Sequence, residues 1–378
     1  MENHAKYGDT IFYHDDKSLY VNLFIASELN WKEKGLVVRQ ETRFPEEEGT
    51  HLRFKSRRRV KLAPRVRYPS WAQRGITLTI NGAKQKIEPQ PGSYVTIERN
   101  WRSGDIVDVR LPMSLRTEAM PDDPKMVALL CGPIELAGDL DQEGLNNALR
   151  YGPLSPQLGR LQPVVVPAFV SDGQNLLSQV KPVPNTALNF RTQRLGQPND
   201  VSLAPFYKLN DHRYNVYWKV YSSNEWEKHK AELAEIAARR KRIEDNTVDF
   251  VRIADAPSER EHKLAGEKIF DGVFEGQRWR EARDGGWFSY DLKVDPVKPL
   301  TLVCRFRGSE DRRRNFDILV EGEKVGSSRL GSHLGEFFDV EYVLPEKLTR
   351  DKQRITVKFQ AQPNGLAGGV YDVLVARL

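Results

Sequence analysis

The sequence predicts a mainly β fold, with two or three β-sandwich or jelly-roll-like modules that are joined by one helix. Short apolar runs alternate with polar residues at the two-residue period of a strand, and turn residues separate these runs. A single long segment has helical periodicity instead. The chain of 378 residues, with 22 Pro and 27 Gly, is long enough for two or three domains.

The first predicted module is a β-sandwich over residues 1–135. Its clearest signal is Asn81-Gly82, a dipeptide that favours positive φ and a tight hairpin, with Ile87 on the return strand. Alternating strand faces are predicted at Leu19, Val21, Leu23 and Ile25, at Ile76, Leu78 and Ile80, at Val95 and Ile97, and at Val107, Val109 and Leu111.

Three further segments follow the sandwich. Prolines interrupt residues 136–222, which are predicted to be a loop-rich β accessory segment with strands near 188–190 and 214–221. Residues 223–246 form a predicted linker helix, because Ser222 or Ser223 can cap it and Glu225 suits its first turn. One face of this helix carries Trp226, Leu233, Ile236, Ala237 and Ile243. Residues 247–378 form a predicted C-terminal jelly-roll-like sandwich, with a hairpin at Glu321-Gly322-Glu323.

Composition excludes several function classes. The net charge is +6, and basic clusters occur at 57–59, 239–242 and 312–314, but acidic residues are interspersed and no nucleic-acid motif accompanies them, so we expect no nucleic-acid partner. No apolar run is long enough for a transmembrane helix, and the N-terminus has no signal-peptide pattern, so we expect no membrane partner.

Cys131 and Cys304 lie in separate apolar runs and are expected to be buried free thiols that build no zinc site.

The candidate binding residues are aromatic and basic. Acidic runs such as Glu46-Glu47-Glu48 fall in no recognisable catalytic frame, and His212 is expected to be a hydrogen-bonded structural histidine. Trp279, Arg280 and Trp287 in the C-terminal module could bind carbohydrate, because an indole can stack on the face of a sugar ring while an arginine binds hydroxyls. The alternative is that Trp287, with Tyr290, fills the sandwich core.

An ordered series of motifs carries a family resemblance across nearly the whole chain. It consists of 1–8 (MENHAKYG), 19–25 (LYVNLFI), 68–72 (YPSWA), 80–82 (ING), 101–105 (WRSGD), 111–113 (LPM), 131–134 (CGPI), 214–218 (YNVYW), 246–249 (NTVD), 287–290 (WFSY) and 367–370 (AGGV). The sequence resembles the β-L-arabinofuranosidase-like glycosidases of glycoside hydrolase families 127 and 146, formerly domain of unknown function 1680.

The resemblance implies a C-terminal portion without the family's catalytic (α/α)₆ barrel. In that family a zinc-bound cysteine is the nucleophile and a glutamate the acid/base, and its Cys-Cys pair precedes the segment that here begins at Met1. No residue of this sequence matches those groups, so we assign no catalytic residue, no metal ligand and no cofactor to this chain, and expect the family zinc site upstream of Met1.

We therefore expect an accessory β region that is inactive alone. The alternative is a carbohydrate-binding module acting through the C-terminal sandwich. The expected partners are an arabinose-containing glycan, plant-type or other, and a barrel domain on another chain. Family relatives are often secreted or periplasmic. If a barrel is missing, apolar side chains near Ile11, Phe12 and Trp31 should be exposed.

Overall fold

The computed structural model describes residues 6, 8–145, 164–173, 176–309, 314–329, 333 and 335–378. The chain divides into two compact units. The N-terminal unit comprises Met1–Gln142 and Val166–Trp226, and the C-terminal unit comprises Glu143–Val165 and Glu227–Leu378.

The first part of the N-terminal unit is built from eleven strands. They are β1 (Phe12–His14), β2 (Ser18–Val21), β3 (Ser27–Trp31), β4 (Leu36–Glu41), β5 (Gly49–Ser56), β6 (Val60–Tyr68), β7 (Thr77–Ile80), β8 (Ala83–Lys84), β9 (Ser93–Thr96), β10 (Arg99–Trp101) and β11 (Ile106–Arg110). Sheet A has the order β1-β2-β6-β10, with β9 also on β6, and sheet B has the order β3-β4-β5-β11-β7-β8. Strands β2 and β6 are parallel, whereas the other pairs in these two sheets are antiparallel.

Sheets A and B form a sandwich around one apolar core. Phe54 of sheet B stacks on Trp101 of sheet A, with ring centroids 4.1 Å apart, and the Trp101 indole donates a 3.0 Å hydrogen bond to the Leu62 carbonyl. Both rings are fully buried. The alternation of buried and exposed residues along β5 and β6 places one face of each strand in this core.

A third sheet, sheet C, completes the N-terminal unit. Its strands are β12 (Leu115–Ala119), β13 (Met126–Cys131), β14 (Ile134–Asp139), β15 (Ala168–Val170), β16 (Val180–Pro182), β17 (Phe190–Thr192), β18 (Gly196–Gln197), β19 (Ser202–Pro205), β20 (Tyr214–Asn215) and β21 (Tyr217–Tyr221). The order is β16-β17-β19-β14-β13-β21-β15-β18, with β12 on β13 and β20 on β14. Trp218 and Phe169 stack with centroids 4.5 Å apart in its core.

The C-terminal unit is one large sheet that packs against itself. Sheet D comprises β22 (Thr247–Val251), β23 (Ala265–Phe274), β24 (Gln277–Lys293), β25 (Leu300–Arg307), β26 (Asn315–Val320), β27 (Glu323–Arg329), β28 (Phe337–Leu344), β29 (Arg354–Ala361) and β30 (Leu366–Ala376). Its order is β27-β26-β29-β24-β30-β25-β28, with β22 on β30 and β23 on β24. Phe306 of β25 contacts Phe316 of β26 at 5.7 Å although these strands are far apart in that order, so the sheet encloses its core as a sandwich.

Helices are few in the described part of the chain. The α-helices are α1 (Ser223–Asp245), α2 (Ala256–Glu261) and α3 (Glu346–Thr349), and short 3₁₀ turns occupy Gly8–Thr10, Lys32–Lys34, Leu176–Gln179 and Phe206–Lys208. Helix α1 begins as predicted, because the Glu225 carboxylate accepts hydrogen bonds from the Ser222 amide and hydroxyl at 3.0 Å. None of the described helices is long and apolar enough to cross a membrane.

The structure confirms the predicted mainly β class. The Asn81-Gly82 hairpin forms, with φ of 51° and 82°, and Glu321-Gly322 forms another, with φ of 53° and 80°. Cys131 and Cys304 are buried free thiols, as predicted.

Several local predictions are wrong. Strand β2 ends at Val21, before Leu23 and Ile25, because the amides of Asn22 and Leu23 both bond to the Ile11 carbonyl and turn the chain out of the sheet. The return strand β8 ends before Ile87, which nevertheless packs on the core.

The expected exposure near the N-terminus and the apolar face of α1 also differ from prediction. Ile11 and Trp31 are 8% and 5% exposed, because they are covered within the N-terminal unit, and Phe12 is half-buried against its core. On helix α1, Leu233 and Ile236 are exposed, whereas Ile243 packs on β25 and β30.

Candidate functional site

The best candidate site is a cleft on the face of sheet D that points away from the core. Along β24, Trp279 and Glu281 share one face, whereas Arg280 and Ala282 occupy the other. The neighbouring strands β30 and β25 contribute residues of the same outer face. The cleft has a volume of about 250 Å³, and its lining includes Phe274, Trp279, Arg307, Arg314, Gly369 and Tyr371. We call it the aromatic–arginine cleft.

Two irregularities in strand β30 shape the floor of this cleft. Opposite β24, the register shifts so that Arg280 pairs with Val370 and Glu281 with Gly368, which leaves Gly369 as the extra residue. Opposite β25, Arg305 pairs with Asp372 and Phe306 with Val370, which leaves Tyr371 as the extra residue. Such bulges re-aim side chains and are frequent next to functional sites.

A glycine on each side leaves room for the cleft. A Cβ at Gly369 would lie 3.4 Å from Arg314 Nη1, 3.4 Å from Tyr371 Cε2 and 3.6 Å from Trp279 Cβ. Gly369 therefore lies between the three side chains, and the absence of its own side chain keeps the floor open. On the neighbouring strand, Gly272 pairs with Trp279, and its missing side chain makes room for the indole, because a Cβ there would stand only 2.6 Å from Trp279 Cζ2.

The cleft wall combines aromatic rings with charged groups. The Arg307 guanidinium lies 4.3 Å from the centroid of the Phe274 ring and 3.7 Å from a Glu275 carboxylate oxygen. Arg314 approaches the buried Glu281 carboxylate at 3.4 Å. Burial raises the pKa of Tyr371 to about 12, although Arg307 and Arg314 oppose the shift, so its hydroxyl remains a neutral donor at physiological pH.

The structure does not bring the three predicted binding residues together. Trp279 lines the cleft. Arg280 points to the other side of β24, where it is 5% exposed and donates two 2.7 Å hydrogen bonds to Glu259. Trp287 is half-buried beneath Lys358, whose ammonium lies 4.4 Å from the ring centroid. The carbohydrate-binding role of Trp279, Arg280 and Trp287 remains a prediction, and Trp279 is the one whose position suits it.

Sequence reasoning did not single out the other cleft residues. Arg307 and Tyr371 carry only a weak signal, which is that each follows an apolar residue, Phe306 or Val370, on its strand. Arg314 belongs to the basic cluster 312–314, whose other members, 312 and 313, lie outside the described residues. Gly369 belongs to the 367–370 motif of the family resemblance, and nothing in that motif indicates a cleft.

A larger, more open cleft lies on the outer face of sheet B. Its volume is about 670 Å³, and most of its charged side chains already form ion pairs. Glu41 contacts Arg39 at 3.3 Å and Arg53 at 2.8 Å, Arg43 contacts Glu47 at 3.3 Å, and His51 contacts Asp108 at 2.6 Å. Its described lining contains no Phe, Tyr or Trp, so it lacks an apolar platform for a ring.

Metal-ligating side chains do not converge within the part of the chain that the structure describes, since no group of three His, Cys, Asp or Glu residues could hold an ion there. His212 has a structural environment, because its Nδ1 lies 2.7 Å from Asp139 and its Nε2 lies 2.8 Å from Gln142. His262 is buried, with Nδ1 2.7 Å from the Ser258 carbonyl.

The structure is that of a β-sandwich protein with a small aromatic–arginine cleft, and comparisons with protein families show what the chain is similar to. Residues 18–113 match the family model described as the β-L-arabinofuranosidase, GH127 middle domain. Residues 116–220 match a domain of unknown function, and residues 242–376 match a family of unknown function (DUF6805). The first match confirms the resemblance to GH127 enzymes that the sequence motifs indicated. No curated protein matches the chain.

Solved structures give similar matches. A GH127 β-L-arabinofuranosidase from Geobacillus stearothermophilus T6 has 19% identity and a TM-score of 0.40, with 57% of this chain and 36% of that chain covered. A glycoside hydrolase has 18% identity and the same TM-score, with 55% and 37% covered. A family 35 carbohydrate-binding module from Clostridium thermocellum has 12% identity and a TM-score of 0.26, with 30% and 90% covered. The chain thus spans little more than a third of the glycoside hydrolases that it matches.

Proposed function

We propose that the chain is a non-catalytic accessory region of a β-L-arabinofuranosidase-like glycoside hydrolase, and that its C-terminal unit binds carbohydrate in the aromatic–arginine cleft. One observation carries the binding proposal: Trp279, Phe274 and Tyr371 surround a small cleft that also contains two arginines. Apolar platforms with a few convergent polar groups are typical of small-ligand sites. The match of residues 18–113 to the GH127 middle domain supports the accessory role.

Each group has a separate task in this proposal. The Trp279 indole offers its face to the C–H face of a sugar ring, which removes apolar surface of both partners from water. The Tyr371 hydroxyl lines the cleft as a neutral phenol and can bond a sugar hydroxyl. Gly369 leaves the space that the ring would occupy.

Affinity electrophoresis in gels that contain soluble polysaccharides tests the binding proposal. The panel should include arabinan, arabinogalactan and pectin, because the partner expected from the resemblance is an arabinose-containing glycan. We expect Trp279→Ala to weaken binding about tenfold or more, as loss of a central aromatic contact does. Trp287→Ala is the matched control, because Trp287 is a half-buried tryptophan on the same strand that does not line the cleft. Equal loss in both variants, or retention in both, would contradict the proposal.

The accessory role has an independent test. We expect the chain alone to release no sugar from a synthetic β-L-arabinofuranoside and to carry no stoichiometric zinc by elemental analysis, because no residue here matches the family nucleophile or its ligands. A barrel domain on another chain would supply the catalytic groups. Turnover together with bound zinc would overturn the non-catalytic assignment, whatever the electrophoresis shows.

A further inference from the structure

The aromatic–arginine cleft contains arginines that the protein itself leaves incompletely bonded. The side chains of Arg307 and Arg314 are 28% and 26% exposed, and neither makes a hydrogen bond to the residues described. Their Nε atoms are shielded from solvent without a partner, and so is that of Arg305, two residues before Arg307 on the same strand face. Buried donors are almost always satisfied in folded proteins, so each such group needs an explanation.

Other arginines of the C-terminal unit show that the fold can satisfy a guanidinium. Arg280 forms a two-bond contact with Glu259, at 2.7 Å for each bond. Arg240 donates a 2.6 Å hydrogen bond to Asp372, and Arg283 donates one at 2.7 Å to Glu281. Within the described part of this unit, the buried unsatisfied arginine nitrogens are confined to Arg305, Arg307 and Arg314. Of these three, Arg307 and Arg314 line the aromatic–arginine cleft, where a bound ligand could accept their hydrogen bonds.

Charge around the cleft also favours an anion. The Glu281 carboxylate is shared between Arg283 at 2.7 Å and Arg314 at 3.4 Å, so it cannot neutralise both. Among the described carboxylates, Arg307 contacts Glu275 at 3.7 Å, and the Glu275 side chain is 41% exposed. The two cleft arginines thus have only long carboxylate contacts within the described residues, because the shorter contact of Glu281 is with Arg283. An incoming oxyanion would receive charge-assisted hydrogen bonds, and the planar guanidinium fork suits it.

The remaining groups restrict the ligand to a small ring. Trp279 and Phe274 offer apolar faces beside the arginines, and Tyr371 offers a neutral hydroxyl. A volume of about 250 Å³ is small for a ligand pocket and suits one sugar residue rather than a long chain. Extending the carbohydrate-binding function proposed above, on which this inference rests, we infer that the cleft recognises a single sugar residue that carries an oxyanion, as a uronic-acid carboxylate or a sulfate ester.

Isothermal titration of the whole chain with matched monosaccharides tests this inference. The probes are methyl galactoside, the methyl glycoside of galacturonic acid with its carboxylate free, and galactose 6-sulfate. Each is titrated at low and at moderate salt. We expect an anionic probe to bind at least about tenfold more tightly than the neutral one, with weaker binding as salt rises. Preference for the carboxylate or for the sulfate identifies which oxyanion the cleft takes. Equal affinity for neutral and anionic sugars would overturn the inference and leave carbohydrate binding intact, whereas no binding of any probe or polysaccharide would overturn both.

Charge variants locate the effect. Arg307→Gln and Arg314→Gln should each reduce affinity for the preferred anionic probe about tenfold and leave the neutral probe within about twofold. Arg307→Lys retains the charge but not the fork, and should be intermediate. Arg252→Gln is the control, because it removes the same charge from an exposed position of the same unit that does not line the cleft. Melting temperatures within a few degrees of wild type would show that each variant folds. An equal effect of Arg252→Gln would contradict a site at the cleft.

Discussion

Replacing Glu259 by Gln should destabilise the C-terminal unit, because the carboxylate organises a buried polar cluster. Glu259 accepts 2.7 Å hydrogen bonds from Arg280 Nε and Nη2, one of 2.8 Å from the Tyr290 hydroxyl and one of 3.0 Å from the Ala254 amide. The side chains of Arg280 and Glu259 are 6% and 7% exposed. Burial raises the pKa of Tyr290, and the Glu259 charge adds to that shift, so the phenol stays a donor.

The expected magnitude follows from leaving one buried charge without its partner. Glu259→Gln should lower the free energy of unfolding by about 3 kcal/mol, because Arg280 keeps its charge and its next carboxylate, Asp271, lies 3.8 Å away. Arg280→Met should cost a similar amount at pH 8. The double variant should cost about 3 kcal/mol rather than about 6, since neither charge then remains unpaired, which gives a coupling of about 3 kcal/mol.

Hydrogen exchange of peptides from β24 at increasing urea concentration measures the free energy of unfolding of the C-terminal unit. It does so without assuming that the two units unfold together. Additive single effects, with coupling below about 0.5 kcal/mol, would refute the reasoning.

Three further predictions concern other groups. Burial raises the pKa of Cys131 to about 11 and that of Cys304 well above its usual value, so neither thiol should react with Ellman's reagent at pH 8 until denaturant is added, when two thiols per chain should appear. Gly369→Ala should weaken sugar binding without lowering the melting temperature, because its methyl group would fill the cleft floor at ordinary contact distances; unchanged affinity would contradict that placement. Hydrogen bonds from Lys125 and Ser222 lower the pKa of Glu225 to about 2. The resulting stabilisation of the start of α1 is fully present above pH 4.5 and is lost as the pH falls towards 2. Hydrogen exchange of residues 223–226 should show this pH dependence, and Glu225→Gln should abolish it.

Much of the fold follows from local pattern. The sequence predicts the hairpins at 81–82 and 321–322 and the bounds of α1, because each depends on a few adjacent residues. It does not predict the early end of β2, because that end depends on hydrogen bonds to the Ile11 carbonyl, which the alternation of apolar residues does not reveal.

The candidate site could be predicted from the sequence only in part, for a related reason. A tryptophan in a polar context drew attention to Trp279, but period-two alternation with Arg280 puts the two side chains on opposite faces of one strand. The cleft depends on Arg307 and Tyr371, which strand pairing brings beside Trp279 from distant parts of the sequence. The bulge at Gly369 has a weak sequence signal in the glycine pair 368–369, whereas the bulge at Tyr371 has none that distinguishes it from regular strand.

The close approach of the Trp279 indole to the Gly272 backbone has a consequence for the energetics of recognition. A ring held against a neighbouring strand has few rotamers to lose when a ligand arrives, so little conformational entropy opposes association. A methyl group at Gly272 would displace the Trp279 ring from its present position. The ring would then lose more conformational entropy when a ligand binds. In the proposed binding mode, the Trp279 ring should therefore change little between the free and the bound protein.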